Sequence, residues 1–109
     1  MINNLIVNEI EDIKNFIYYN NNYDNDDDND DDNILNIKIN IKIENFKLFE
    51  ELNMNVNELN CSNNNINSFE GLNMNINQLD CSNNQIKSFE GLNVNINQLD
   101  CSHNQIISF

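Results

Sequence analysis

The 109-residue chain has no proline, tryptophan, alanine, arginine or threonine, only two glycines, five lysines and one histidine. Several of these shortages exclude something. A surface that binds nucleic acid needs clustered lysine or arginine to displace counterions from phosphates. Here the lysines are scattered and the formal net charge is −13. The same acidity argues against anionic membrane surfaces. No apolar run approaches the roughly 20 residues of a membrane span. The opening MINNLIVNEIEDIK has no basic start and carries acids inside its apolar stretch, unlike a secretory signal. Three cysteines, an odd number, without an export signal point to a reducing setting, so an intracellular, cytoplasmic location is expected. Abundant Asn, Ile and Lys beside absent Ala and Pro match AT-rich codon usage, which needs no function to explain it.

What is present falls into segments of different character. In residues 1–19 the apolar positions Ile2, Leu5, Ile6, Ile10, Ile13, Phe16 and Ile17 follow the three-and-four spacing of one helical face. The spacing predicts an amphipathic helix. Residues 20–33 are almost all Asn and Asp. Such a stretch buries no apolar surface and its acids repel one another, so a disordered linker is expected. Its alternating Asp24, Asp26, Asp28 and Asp30 do not form a calcium loop. Counting from Asp24 puts Asn29 and Leu35 where Gly and Glu belong, and counting from Asp26 puts Asp31 and Ile37 there. From residue 34 the run ILNIKINIKI alternates Ile37, Ile39, Ile41 and Ile43 with polar residues, the period of a half-buried strand.

A twenty-residue period then takes over. INQLDCSNNQI occurs at Ile76 to Ile86 and returns at Ile96 to Ile106 with His103 in place of Asn83; a looser copy, VNELNCSNNNI, spans Val56 to Ile66. Aligned on Cys61, Cys81 and Cys101, the copies share columns at Leu59, Leu79 and Leu99, at Asn64, Asn84 and Asn104, at Ile66, Ile86 and Ile106, and at Phe69, Phe89 and Phe109. One such unit cannot bury its apolar side alone, but stacked units share a continuous core. Short strands near Gln78 to Ser82 would pair in parallel about 4.8 Å apart. Leu79 and Cys81 then point inward and Gln78, Asp80 and Ser82 outward. The cysteines serve as small buried hydrophobes. The column of Asn64, Asn84 and Asn104 supplies amides to turn backbone groups that would otherwise be buried unpaired.

The spacing L-x-x-L-x-C-x-x-N-x-I-x-x-F-x-x-L resembles the leucine-rich repeat, in its short twenty-residue subclass, over about residues 36–109. Phe-Glu stands where many members of that subclass carry Leu-Pro. The resemblance implies an α/β solenoid with short parallel strands on a concave face, irregular or 3-10 segments on the convex side, and the N-terminal helix as a cap. Residues 34–55 read as a divergent capping repeat. Counting back twenty residues puts Ile39 and Ile41 at its inward strand positions and Glu44 at its ladder position. Residues 56–109 read as three repeats, the third incomplete, with an uncapped end that invites self-association.

In that family ligands usually bind the concave face. Here the matching outward positions are Glu58, Asn60, Ser62, Gln78, Asp80, Ser82, Gln98, Asp100, Ser102 and His103, a polar and mildly acidic surface. It holds none of the Trp, Tyr or Arg that dominate binding energy at most interfaces. The expected partner is a basic or polar protein. No cofactor is called for, and the clusters that mark zinc sites are missing. Asp100, Ser102 and His103 do not make a catalytic triad by adjacency alone, so a non-catalytic protein-interaction module is expected. The alternatives are a structural repeat-gene product without a selected ligand, and the substrate-binding part of a ubiquitin-ligase-type adaptor. For the latter, LIVNEIEDI is similar to the start of an F-box but lacks its proline.

Overall fold

The computed structural model describes residues 3–23, 35–92 and 95–107. Five strands form one parallel sheet in chain order: β1 (Asn4–Val7), β2 (Asn36–Ile39), β3 (Asn55–Asn60), β4 (Asn75–Asp80) and β5 (Gln98–Asp100). Among the described residues one helix, α1 (Ile10–Tyr23), follows β1, and a 3-10 turn spans Lys47–Phe49. The result is a parallel β-solenoid of about three turns with one helix. No described helix is long and apolar enough to cross a membrane.

The amino-terminal segment departs from the sequence expectation. It is a strand followed by a helix. Leu5 and Val7 are buried while Asn4 and Ile6 are exposed, a two-residue alternation, and β1 pairs with β2 through Leu5↔Ile37 and Val7↔Ile39. The three-residue apolar stretch Leu5 to Val7 fits either period, and the open edge of β2 decides for the strand by satisfying its backbone groups. The helix begins where Asp12 Oδ2 accepts the backbone N–H groups of Asn8 (2.8 Å) and Glu9 (3.1 Å). Glu11 and Asp12 in the first turn suit the positive end of the helix dipole. Ile13 and Phe16 are buried and Ile17 is half-buried, as the helical spacing implies, but Ile10 is exposed. The helix continues to Tyr23, four residues into the stretch read as linker. Ile2, Phe109 and the acidic residues 24–33 lie outside the described residues.

The core is one cluster running through all the coils. One inward column is Leu5, Ile37, Leu59, Leu79 and Leu99, each paired with the next in register. Cys61 and Cys81 are fully buried beside it. On the side away from the sheet, Phe46, Phe49 and Phe69 are buried, with Phe46 and Phe69 stacked at 6.2 Å between ring centroids.

The first coil differs from the copies that follow. Leu59 pairs with Ile37, 22 positions earlier, whereas Leu79 pairs with Leu59 at the repeat's 20. The inward positions of β2 are therefore Ile37 and Ile39, not Ile39 and Ile41. The strand itself ends at Ile39. A two-residue slip preserves which side chains face inward, so the alternation of isoleucines could not reveal it. Further on the copies are back in step. Leu52 N donates to Phe49 O, Leu72 N to Phe69 O and Leu92 N to Phe89 O, all within 3.0 Å. The first coil thus carries two extra residues between its strand and this turn.

Gly71 and Gly91 occupy the third position of those turns at φ +91 and +89, a conformation that favours glycine. In the first coil Glu51 takes that place. Glu50 lies in the right-handed region (φ −67, ψ −19), so that turn needs no positive φ and tolerates a side chain.

Candidate functional site

The repeated asparagines build an internal ladder. Asn84 Nδ2 donates to the carbonyls of Cys81 (3.0 Å) and Ser82 (3.1 Å) in its own coil and of Cys61 (3.1 Å) in the preceding one. Its Oδ1 accepts the Ile66 backbone N–H at 2.9 Å. Asn104 repeats this with Cys81, Cys101 and Ser102 as acceptors and Ile86 N as donor. Asn64 donates likewise to Cys61, Ser62 and Ile39. Its Oδ1, though buried, accepts no hydrogen bond among the described residues. Asn64 and Asn84 are buried and Asn104 is half-buried.

Beside the ladder run the thiols. All three cysteines are unbridged. Burial pushes the Cys61 thiol well above its ordinary value, helped by neighbouring Cys81 and Asp80. Burial pushes Cys81 up to about 12, with Cys101, Asp80 and Asp100 adding to the effect. Thiols held protonated are poor nucleophiles and poor metal ligands.

The candidate binding residues lie in rows across the sheet. Glu58, Gln78 and Gln98 are level on β3, β4 and β5, and Asn60, Asp80 and Asp100 form the adjacent row. Continued onto β2, these rows reach Asn36 and Lys38. Glu58, Gln78, Leu79, Asp80, Gln98, Leu99 and Asp100 line a shallow depression of about 260 Å³. Glu58, Gln98, Asp100, Ser102 and His103 are exposed; Asn60, Ser62, Gln78 and Asp80 are half-buried.

The serines are tied down. Ser62, Ser82 and Ser102 each donate both hydroxyl and backbone N–H to the Oδ1 two residues earlier, on Asn60, Asp80 and Asp100. These bonds end the strands in side-chain-capped turns. Ser82 is buried, so it adds little to an open face, contrary to its reading as an outward contact residue. At Asp100 the Ser102 hydroxyl and then the Ser102 N–H hold the carboxyl below its usual range. The Ser102 hydroxyl therefore serves Asp100, and among the described residues His103 hydrogen-bonds to neither. Asn63, Asn83 and His103 all sit in the left-handed region at φ 58 to 59. The one replacement within the eleven-residue stretch Ile76 to Ile86 thus falls where Asn, Asp and His are the non-glycine residues best tolerated.

A second amide ladder escaped the sequence reading. Asn36 donates to Asn4, Asn57 to Asn36, Asn77 to Asn57 and Asn97 to Asn77, a directional chain from β1 through β4 to the residue just before β5. Further amide links join Asn40 to Asn8 and Asn75 to Asn55. The signal was available in the column of Asn57, Asn77 and Asn97, each following Val or Ile at the twenty-residue period.

No family model matches the chain, and neither does any curated protein or solved structure. The resemblance to leucine-rich repeats rests on the repeat's own residues.

Proposed function

We propose that this protein is a non-catalytic interaction module of the leucine-rich repeat type, and that its sheet presents a polar, mildly acidic concave face to a basic or polar protein partner. The observation that carries the reading is the pair of level rows, Glu58–Gln78–Gln98 and Asn60–Asp80–Asp100, on strands held in register by an amide ladder. Such rows offer carboxylates and amides at the spacing of adjacent strands, which suits lysine or arginine side chains of an extended segment. Without aromatic anchors on this face, affinity is expected to be modest and dependent on salt.

The test is affinity capture with the wild-type chain and with a Glu58→Lys, Asp80→Lys, Asp100→Lys variant. A partner held by this face is recovered by the first, released by salt, and missed by the second. A partner that binds both equally would remove this face from the function.

A second reading is self-association through the edge of β5, which pairs with β4 on one side only among the described residues. There Leu99 is 42% exposed and Ile107 79% exposed, although Leu79, level with Leu99, is buried. Open strand edges with apolar flanks template pairing with another chain. The net charge of −13 opposes it. Sedimentation of the 109-residue chain against a Leu99→Lys, Ile107→Lys variant separates the outcomes: a dimer that the variant abolishes supports this reading, and a monomer in both removes it.

A further inference from the structure

We infer that the solenoid opens at the seam between β2 and β3 before it opens between β3 and β4, so that β1, α1 and β2 separate first from the repeats. Three observations meet at that seam. The first is pairing. β2 and β3 are paired over three residues, β3 and β4 over five.

The second is the ladder. Asn84 and Asn104 each lock onto the preceding coil from both ends of the amide, giving Nδ2 to a cysteine carbonyl and taking a backbone N–H at 2.9 Å. Asn64 does half of this. Its Oδ1 is buried without a donor among the described residues, and its Nδ2 bond to Ile39 O is the longest of the three cross-coil links at 3.4 Å. A buried acceptor that forgoes its hydrogen bond lowers the stability of the closed state.

The third is the cause. The two extra residues of the first coil displace the backbone N–H that would have met Asn64 Oδ1. Phe46 N, twenty residues before Ile66 N, donates to Glu70 O at 2.8 Å, and the Lys42 ammonium donates to the Asn63 carbonyl at 2.6 Å on an exposed side. The opposite side of the same seam is well packed. Phe46 stacks on Phe69, and Gly71 lies so close to the Phe46 backbone that a Cβ there would approach it to 2.6 Å. The seam therefore opens from the sheet side and hinges at the phenylalanines. Local openings of this kind are how repeat arrays lose structure piecewise. Opening bares Leu59 and Cys61, both fully buried when it is closed.

Amide hydrogen exchange of the full chain, read residue by residue by NMR, tests this. Asn57 N and Asn67 N bond across the β2–β3 seam, to Leu35 O and Glu44 O. Asn75 N, Cys61 N and Gln85 N bond across the next, to Met54 O, Asp80 O and Ile66 O. The first set should be protected at least about tenfold less than the second, a spread well within that between local and global opening. Equal protection, or the reverse order, overturns the inference. A chimera in which residues 40–49 are replaced by the sequence of Ser82–Phe89 removes the two extra residues. It should raise the protection of Asn57 to that of Asn75, and unchanged protection in a folded chimera overturns the assigned cause. The wild-type comparison stands without the chimera.

Discussion

Asn84 and Ile66 are eighteen residues apart, yet the Asn84 side-chain oxygen accepts the Ile66 backbone N–H at 2.9 Å while its amide nitrogen reaches back to Cys61 O at 3.1 Å. One side chain thus satisfies buried backbone groups in two coils. Asn84→Ala should destabilise the protein by roughly 1–3 kcal/mol, since each abandoned group keeps its desolvation cost. Asn104→Ala should cost less, because its surroundings are half open to water. Chemical denaturation of the two variants measures both, and equal losses would contradict the gradient in burial.

Gly71 and Gly91 share a backbone conformation but not a neighbourhood. A Cβ on Gly91 meets nothing closer than 3.6 Å, so Gly91→Ala should cost only the positive φ, about 1–2 kcal/mol. At Gly71 the same Cβ would sit 2.6 Å from Phe46 backbone atoms. Gly71→Ala must also push two coils apart and should be clearly the worse variant by thermal melting. Matching melting temperatures would show that the close approach is unimportant.

Leu79 and Leu99 occupy the same column at different depths. Leu79→Ala removes a buried side chain and should cost about 2–5 kcal/mol. Leu99→Ala, at a site already 42% exposed, should cost below about 1 kcal/mol in the monomer. A large effect at Leu99 that grows with protein concentration would instead support self-association.

The thiols set a pH dependence. A thiol whose pKa is raised on folding stabilises the native state fully below its unfolded value near 9, because the folded form holds its proton more tightly. That contribution is lost as pH rises from about 9 toward 12, the value to which Cys81 is pushed. Stability should therefore decline across this alkaline window, and Cys81→Ala should flatten the decline. At neutral pH an alkylating reagent should modify half-buried Cys101 first. Mass spectrometry after brief labelling reads the order, and early modification of Cys81 would contradict its burial.

The repeat was legible because its chemistry is local and recurs. A buried Leu, a small Cys and an amide at fixed offsets mean the same thing each time, and Leu59, Leu79, Asn64 and Asn84 sit where that logic puts them. The outward rows from Glu58 to Asp100 followed from the same alternation. The burial of Ser82 did not, since it depends on what the neighbouring coils cover. Nor did the surface ladder from Asn4 to Asn97, whose first two rungs lie outside the periodic part of the chain.

By itself the sequence determined the period, the inward columns and the amide that serves the turns, because these depend on side-chain alternation and on backbone groups that must be paired wherever they are buried. Only the tertiary structure decided the offset of the first coil and the state of the amino-terminal segment. An alternating run of isoleucines reads the same after a slip of two, and Leu5 to Val7 fits a helix or a strand equally well. A neighbouring strand with unpaired backbone groups breaks both ties, and it exists only once the chain has folded.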